Sequence, residues 1–196
     1  VEEQDKTILI PLDKPLADAS GKLVWENIEL HEPAVIEVNQ FLDKQKASGA
    51  LAGMGHLICL LSGVTPQVIK RLPFTTYKRC ESFLLTFLNY KPENPNAESQ
   101  PQSSTIIMLA NPLQDSAGKR SWSSIDLSEP NLEQVDQFYK TQTVKGGLTS
   151  MSALIAELSD IPPEVINRLP YTDYKSCEAY LLGFLNYSPT PDTGGM

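Results

Sequence analysis

Two histidines and three cysteines are the side chains of this sequence best suited to nucleophilic or metal chemistry. Cys80 and Cys177 sit in RLPFTTYKRCESFLLTFLNY, from Arg71, and RLPYTDYKSCEAYLLGFLNY, from Arg168. There each thiol falls on an apolar helical stripe, where a free cysteine behaves as a small hydrophobe. His56 and Cys59 come nearest to an imidazole–thiol pair, yet the matching positions of the second half hold Ala153 and Ala156. A nucleophile activated by a neighbouring base would therefore exist in one half only. His31, matched by Ser128, has the same weakness. Glu32 and Glu129, each followed by proline, occur in both halves, and a carboxylate at a helix N-terminus is stabilised there by the helix dipole without any catalytic purpose. GALAGMG, from Gly49, is the closest approach to a phosphate-binding loop, but no strand precedes it. The cysteines show no CxxC spacing and the carboxylates no alternating ligand loop, so neither a zinc nor a calcium site is expected. No catalytic residue, cofactor or metal is expected.

The repeated stretch organises everything else. Arg71 and Arg168 are 97 positions apart, and the same offset links Pro15 to Pro112, Gly21 to Gly118, Trp25 to Trp122, Phe41 to Phe138, Met54 to Met151 and Cys80 to Cys177. An ungapped offset over nearly the whole chain is the mark of a tandem duplication of one folding unit. The expected boundaries are a first unit over 1–92, a linker over 93–103, a second unit over 104–189 and a flexible tail over 190–196. KPENPNAESQPQSS, at the junction, lacks large apolar side chains and reads as a hydrated linker.

With 41% hydrophobic residues, the 196-residue chain can fill two small cores. Its net charge of −8 is shared by both halves, which disfavours nucleic-acid binding because phosphate neutralisation needs a cationic face. An odd number of unpaired cysteines fits a reducing compartment. Without an apolar run of the roughly 18 residues that a membrane span requires, and with an acidic start, the expected location is the cytoplasm.

Each unit follows one plan. TILIPL and TIIML are β-rich runs, ADASGK and DSAGK are turn clusters, and LVWENIEL and RSWSSIDL close a hairpin. After Glu-Pro the period shifts to helical. Val35, Val38, Phe41 and Leu42 define one face of a first helix, as do Leu132, Val135, Phe138 and Tyr139, with Gly49 and Gly146 as stops. Leu51, Met54, Leu57, Ile58 and Leu61 line a second helix, mirrored by Leu148, Met151, Leu154, Ile155 and Leu158. Thr65-Pro66 opens a short third helix that ends before Leu72-Pro73. Tyr77, Cys80, Phe83, Leu84, Phe87 and Leu88 line the last. The fold class is α+β, two tandem units each with a β-hairpin followed by three or four helices.

Two surface features are candidates for protein contact. Trp25 shares a strand face with Asn27 and Glu29, and Trp122 with Ser124 and Asp126. Either the indoles cover Leu9 and Pro11, and Ile106 and Met108, across the hairpin, or this face meets a partner. In the second helix GHLICLLSG stands where the other half has SALIAELSD. Cys59 and Leu60 thus widen the apolar surface of the first unit, against the other unit or against an amphipathic segment of another protein, with His56 as a further candidate contact.

TILIPLDKPL, a glycine turn, IELHEP, LICLL and VIKRLPFTTYKRCESFLLTFL, in that order, resemble the small tail assembly chaperones of contractile-tailed, Mu-like bacteriophages. MLANPL, IDLSEP and LIAELSDIPPEVINRLP of the second half are similar to the same family. The resemblance implies a non-enzymatic protein that binds the tape-measure protein and keeps it soluble while the tail assembles. Self-association is a further expected contact. Family members usually carry one such unit, and this chain carries two. A structural tail or baseplate component and a generic acidic interaction module are the alternatives.

Overall fold

The computed structural model describes residues 6–92 and 102–188. Most of the expected linker, 93–101, and the expected tail, 190–196, lie outside the described residues. The chain is α+β and repeats one element order twice. First come β1 (Thr7–Ala17), β2 (Val24–His31), α1 (Val35–Ser48), α2 (Ala50–Ser62), α3 (Pro66–Ile69) and α4 (Phe74–Leu88). Then follow β3 (Ser104–Gln114), β4 (Ser121–Ser128), α5 (Leu132–Lys145), α6 (Gly147–Ser159), α7 (Pro163–Ile166) and α8 (Tyr171–Leu185). These form two compact units: the first runs to Tyr90 and also contains Asn167–Thr172, and the second holds Lys91–Ile166 and the chain from Asp173 onward.

Each sheet is a two-stranded antiparallel hairpin. In the first, Ile8 faces Leu30 and Ile10 faces Ile28 until the register breaks between Pro11 and Leu16, where four residues of β1 stand against Glu26 alone. Pro11 and Pro15 flank or enter this break, and neither can donate to a ladder. The same break falls between Met108 and Leu113. Ile10, Ile28 and Leu30 are fully buried on the inner face, and α2 packs over β2 while α4 packs over β1. Each such aliphatic side chain contributes about 1.5–3 kcal/mol relative to exposure. Ile125 and Leu127 fill the same places in the second unit, under α6.

The helical period places most of the expected core correctly. Met54, Leu57, Ile58 and Leu61 are buried, as are Met151, Leu154 and Ile155. Cys80 and Cys177 lie fully inside with Leu84 and Leu181. Leu51 and Leu42 are exposed, since each begins or ends a stripe at the margin of the helix pair. On α5 only Phe138 of the expected face is buried, and Leu132 and Tyr139 are open to solvent.

One residue separates the two long helices in each unit. Gly49 has φ 89° and Gly146 has φ 84°, a region that costs a glycine little and an L side chain more. At the far end of the second helix Gly63 (φ 66°) is replaced by Asp160 (φ 53°), a residue type that also tolerates the left-handed region. Gly53 brings α1 and α2 together: a Cβ there would stand 2.8 Å from the Cβ of Gln45 and 3.0 Å from its Cα. The second unit has Ser150 at this position, its Oγ donating to the carbonyl of Gly147 at 2.9 Å.

Gly53→Ala is expected to push α1 off α2, and overpacking of this kind costs about 1–3 kcal/mol. Gly55→Ala, whose Cβ would meet only Ile69 at an ordinary 3.6 Å, should be near neutral. Urea denaturation of the two variants, read by circular dichroism, checks the contrast.

Candidate interaction surface

The outer face of each hairpin is set by strand alternation, because Ile10, Ile28 and Leu30 point to the helices and their neighbours must point away. In the first unit the outer row pairs Leu9 with Glu29, Pro11 with Asn27 and Leu16 with Trp25. In the second it pairs Ile106 with Asp126, Met108 with Ser124 and Leu113 with Trp122. One strand therefore supplies apolar side chains and the other polar ones plus an indole. The indoles pair across the hairpin with Leu16 and Leu113, beyond the register break, while Leu9, Pro11, Ile106 and Met108 pair with Glu29, Asn27, Asp126 and Ser124. Ile106 and Met108 keep 64% and 69% of their surface open. The break that shifts the indoles arises where four residues of β1 stand against one of β2, an excess of three that a period-two reading cannot count.

His56, Cys59 and Leu60 all lie half-buried on α2 at spacings of three and four residues, so they share one stripe. Since α2 covers the inner side of the hairpin, the structure does not bring this stripe together with Trp25, which stands on the outer row. At the equivalent of Leu60, Glu157 accepts from Nε2 of Gln134 at 3.1 Å. The first unit has Glu37 where the second has Gln134, and Glu37 accepts from the N–H of Ala34 at 2.7 Å. A second carboxylate at position 60 would face Glu37, so the two differences between the units belong together.

Burial sets the state of the three thiols. Burial pushes the Cys80 thiol up to about 11, and burial also raises Cys177 and Cys59. A thiol held protonated is a poor nucleophile. Nδ1 of His31 lies 2.9 Å from the carbonyl of Glu32. Among the described residues no group of three His, Cys, Asp or Glu side chains could hold a metal ion, and no helix is long and apolar enough to cross a membrane.

Glu32 has a structural task that differs in detail from the expected one. Its carboxylate pairs with Lys6 Nζ at 3.0 Å and accepts from the N–H of Thr172 at 2.8 Å and from the Thr172 hydroxyl. It therefore serves the helix that begins at Tyr171, while the N-terminus of α1 is closed by Glu37. Sequence periodicity carried no sign of this, because the partner lies 140 positions away.

A family described as phage tail assembly chaperone proteins, E, or 41 or 14, matches this sequence twice, over residues 9–89 and 106–186. The chain belongs to the phage tail assembly chaperones. No curated protein and no solved structure gives a match. Membership in this family implies protein partners in tail assembly and a non-enzymatic role. Each match spans nearly all of one hairpin and its helices, so the chaperone carries two tandem family units.

The three thiols should separate by access. With a disulfide reagent near neutral pH, Cys59 is expected to react slowly and Cys80 and Cys177 only on unfolding, giving one equivalent in buffer and three in denaturant. A fast second equivalent in buffer would contradict the buried placement.

Proposed function

We propose that this tail assembly chaperone binds the tape-measure protein of its phage and keeps it soluble in the host cytoplasm until the tail closes around it. The observation that carries the reading is the outer row of the hairpins, where Leu9, Pro11 and Leu16 beside Trp25 recur as Ile106, Met108 and Leu113 beside Trp122. Exposed apolar rows rimmed by Glu29 and Asp126 suit an extended or helical client with apolar patterning. The stripe of His56, Cys59 and Leu60 adds apolar area in the first unit alone. Two such surfaces on one chain raise affinity for a long client by effective concentration, provided that the client can engage both.

The test is co-expression with the tape-measure gene of the same phage, reading how much of that product stays soluble and co-purifies. Leu9→Glu in the first unit and Met108→Glu in the second are each expected to lower recovery several-fold, and the pair together to lower it by more than either. Leu60→Glu should weaken recovery less, and should cost some stability through Glu37. Full recovery with Leu9 and Met108 both replaced would overturn the assignment of the hairpin face. Finding the chain in purified particles would favour a structural tail component instead.

A further inference from the structure

The two sequence repeats carry the same turn and the same receiving edge, but only one edge is filled. In the first unit, segment Asn167–Thr172 lies along residues 32–36. The N–H groups of Val35 and Ile36, at the open start of α1, donate to the carbonyls of Leu169 at 3.0 Å and Asn167 at 2.9 Å. The N–H of Tyr171 donates to the Pro33 carbonyl at 2.9 Å, and Ala34 bridges Pro170. Thr172 closes the contact on Glu32. Leu169 is fully buried there, and Val35 is 2% exposed. Two of the orphan donors at the N-terminus of α1 are thereby satisfied by the inserted chain.

Shifting each of these residues by the repeat offset gives a second set that is present and open. Leu132, the counterpart of Val35, is 86% exposed, and Glu129 and Glu133 are exposed beside it. Among the described residues no acceptor meets the N–H of Leu132 or Glu133. The counterpart of the inserted segment is Lys70–Thr75, with the same path: a turn after the short helix, a bend at Leu72 and a new helix at Phe74. Phe74 is 67% exposed. The substitutions between the sets are complementary, because Ile36 and Asn167 in the filled contact become Glu133 and Lys70 in the open one. An apolar–neutral meeting is replaced by opposite charges.

We infer that Lys70–Thr75 of one chain docks on residues 129–133 of a second copy, repeating between molecules the contact that Asn167–Thr172 makes in the first unit. Leu72 and Lys70 carbonyls accept from the N–H groups of Leu132 and Glu133, Thr75 meets Glu129, Phe74 covers Leu132, and Lys70 pairs with Glu133. Each chain has one open segment and one open edge, which makes the contact heterologous: chains add head to tail, as rings if the rotation closes and as filaments if it does not. The inference is independent of which client the chaperone holds.

Sedimentation velocity of the full chain over a concentration series tests it. The wild-type mass is expected to rise with concentration beyond that of two chains. Phe74→Asp and Leu132→Asp, both at exposed positions, should each return the chain to monomer with its helical circular dichroism intact. Mixed in equal amounts, they should form pairs and nothing larger, since one keeps its edge and the other its segment. Lys70→Glu or Glu133→Lys should each weaken association several-fold, and the two combined in one chain should restore it. A wild-type chain that stays monomeric throughout, assembly indifferent to Phe74 and Leu132, or a mixture that assembles like wild type would each overturn the inference.

Discussion

A two-stranded hairpin has two faces, and about ninety residues hold enough helix to cover one of them. That constraint shapes each unit of this chaperone. The inner face takes Ile10, Ile28 and Leu30, or Ile125 and Leu127, and the helices take their stability from covering it. The outer face is left with Leu9 and Pro11, or Ile106 and Met108, at register positions where a larger sheet would have had a second layer. Exposed apolar rows are ordinarily a liability for a soluble chain. In the client-binding role proposed above they are the working surface, and the charge of −8 offsets the tendency to associate without specificity.

Much of this was legible because burial in a small unit follows short periods. The i, i+3, i+7 stripe from Met54 to Leu61 could be read directly, as could its stops at Gly49 and Gly63, because both features are local in sequence. The ungapped offset assigned the second unit at the same time. The misplacements are of another kind. Leu132 sits at the position of Val35, in the same pattern and after the same Glu-Pro, and yet one is buried and the other open. Nothing in the local sequence distinguishes them, since the difference lies in whether residues 167–172 are at hand. The cross-strand partner of each tryptophan was illegible for a related reason, as the alternation holds on each side of the register break and the four intervening residues displace one side against the other. Of the candidate surface residues, Trp25 and Trp122 fall on outer rows and His56, Cys59 and Leu60 on a helix stripe, a division that composition could not express.

The differences between the copies are as informative as the matches. Leu60 and Glu37 in one unit stand against Glu157 and Gln134 in the other, and the hydrogen bond between Gln134 and Glu157 shows why these positions change as a pair. A carboxylate opposite Glu37 would be repelled, while an amide can donate to it. Gly53 and Ser150 form another such difference: the first lets helix backbones approach, and the second places a hydroxyl on its own helix carbonyl. The copies thus reach one topology by different local packing.

Equal backbones in unequal surroundings bear on what duplication achieves. The turns at 70–75 and 167–172 follow the same path whether buried or open, so the path is fixed by the chain itself: a short helix opened by proline, a bend, and a proline that permits only a new helix start. A segment already held in its bound shape loses little conformational freedom when an edge receives it. The receiving edge is likewise fixed, by the hairpin's last pair and the first turn of the following helix. Rigid donor and rigid edge in every unit mean that contact geometry is encoded once and copied with the unit, and that each copy added supplies one more of both.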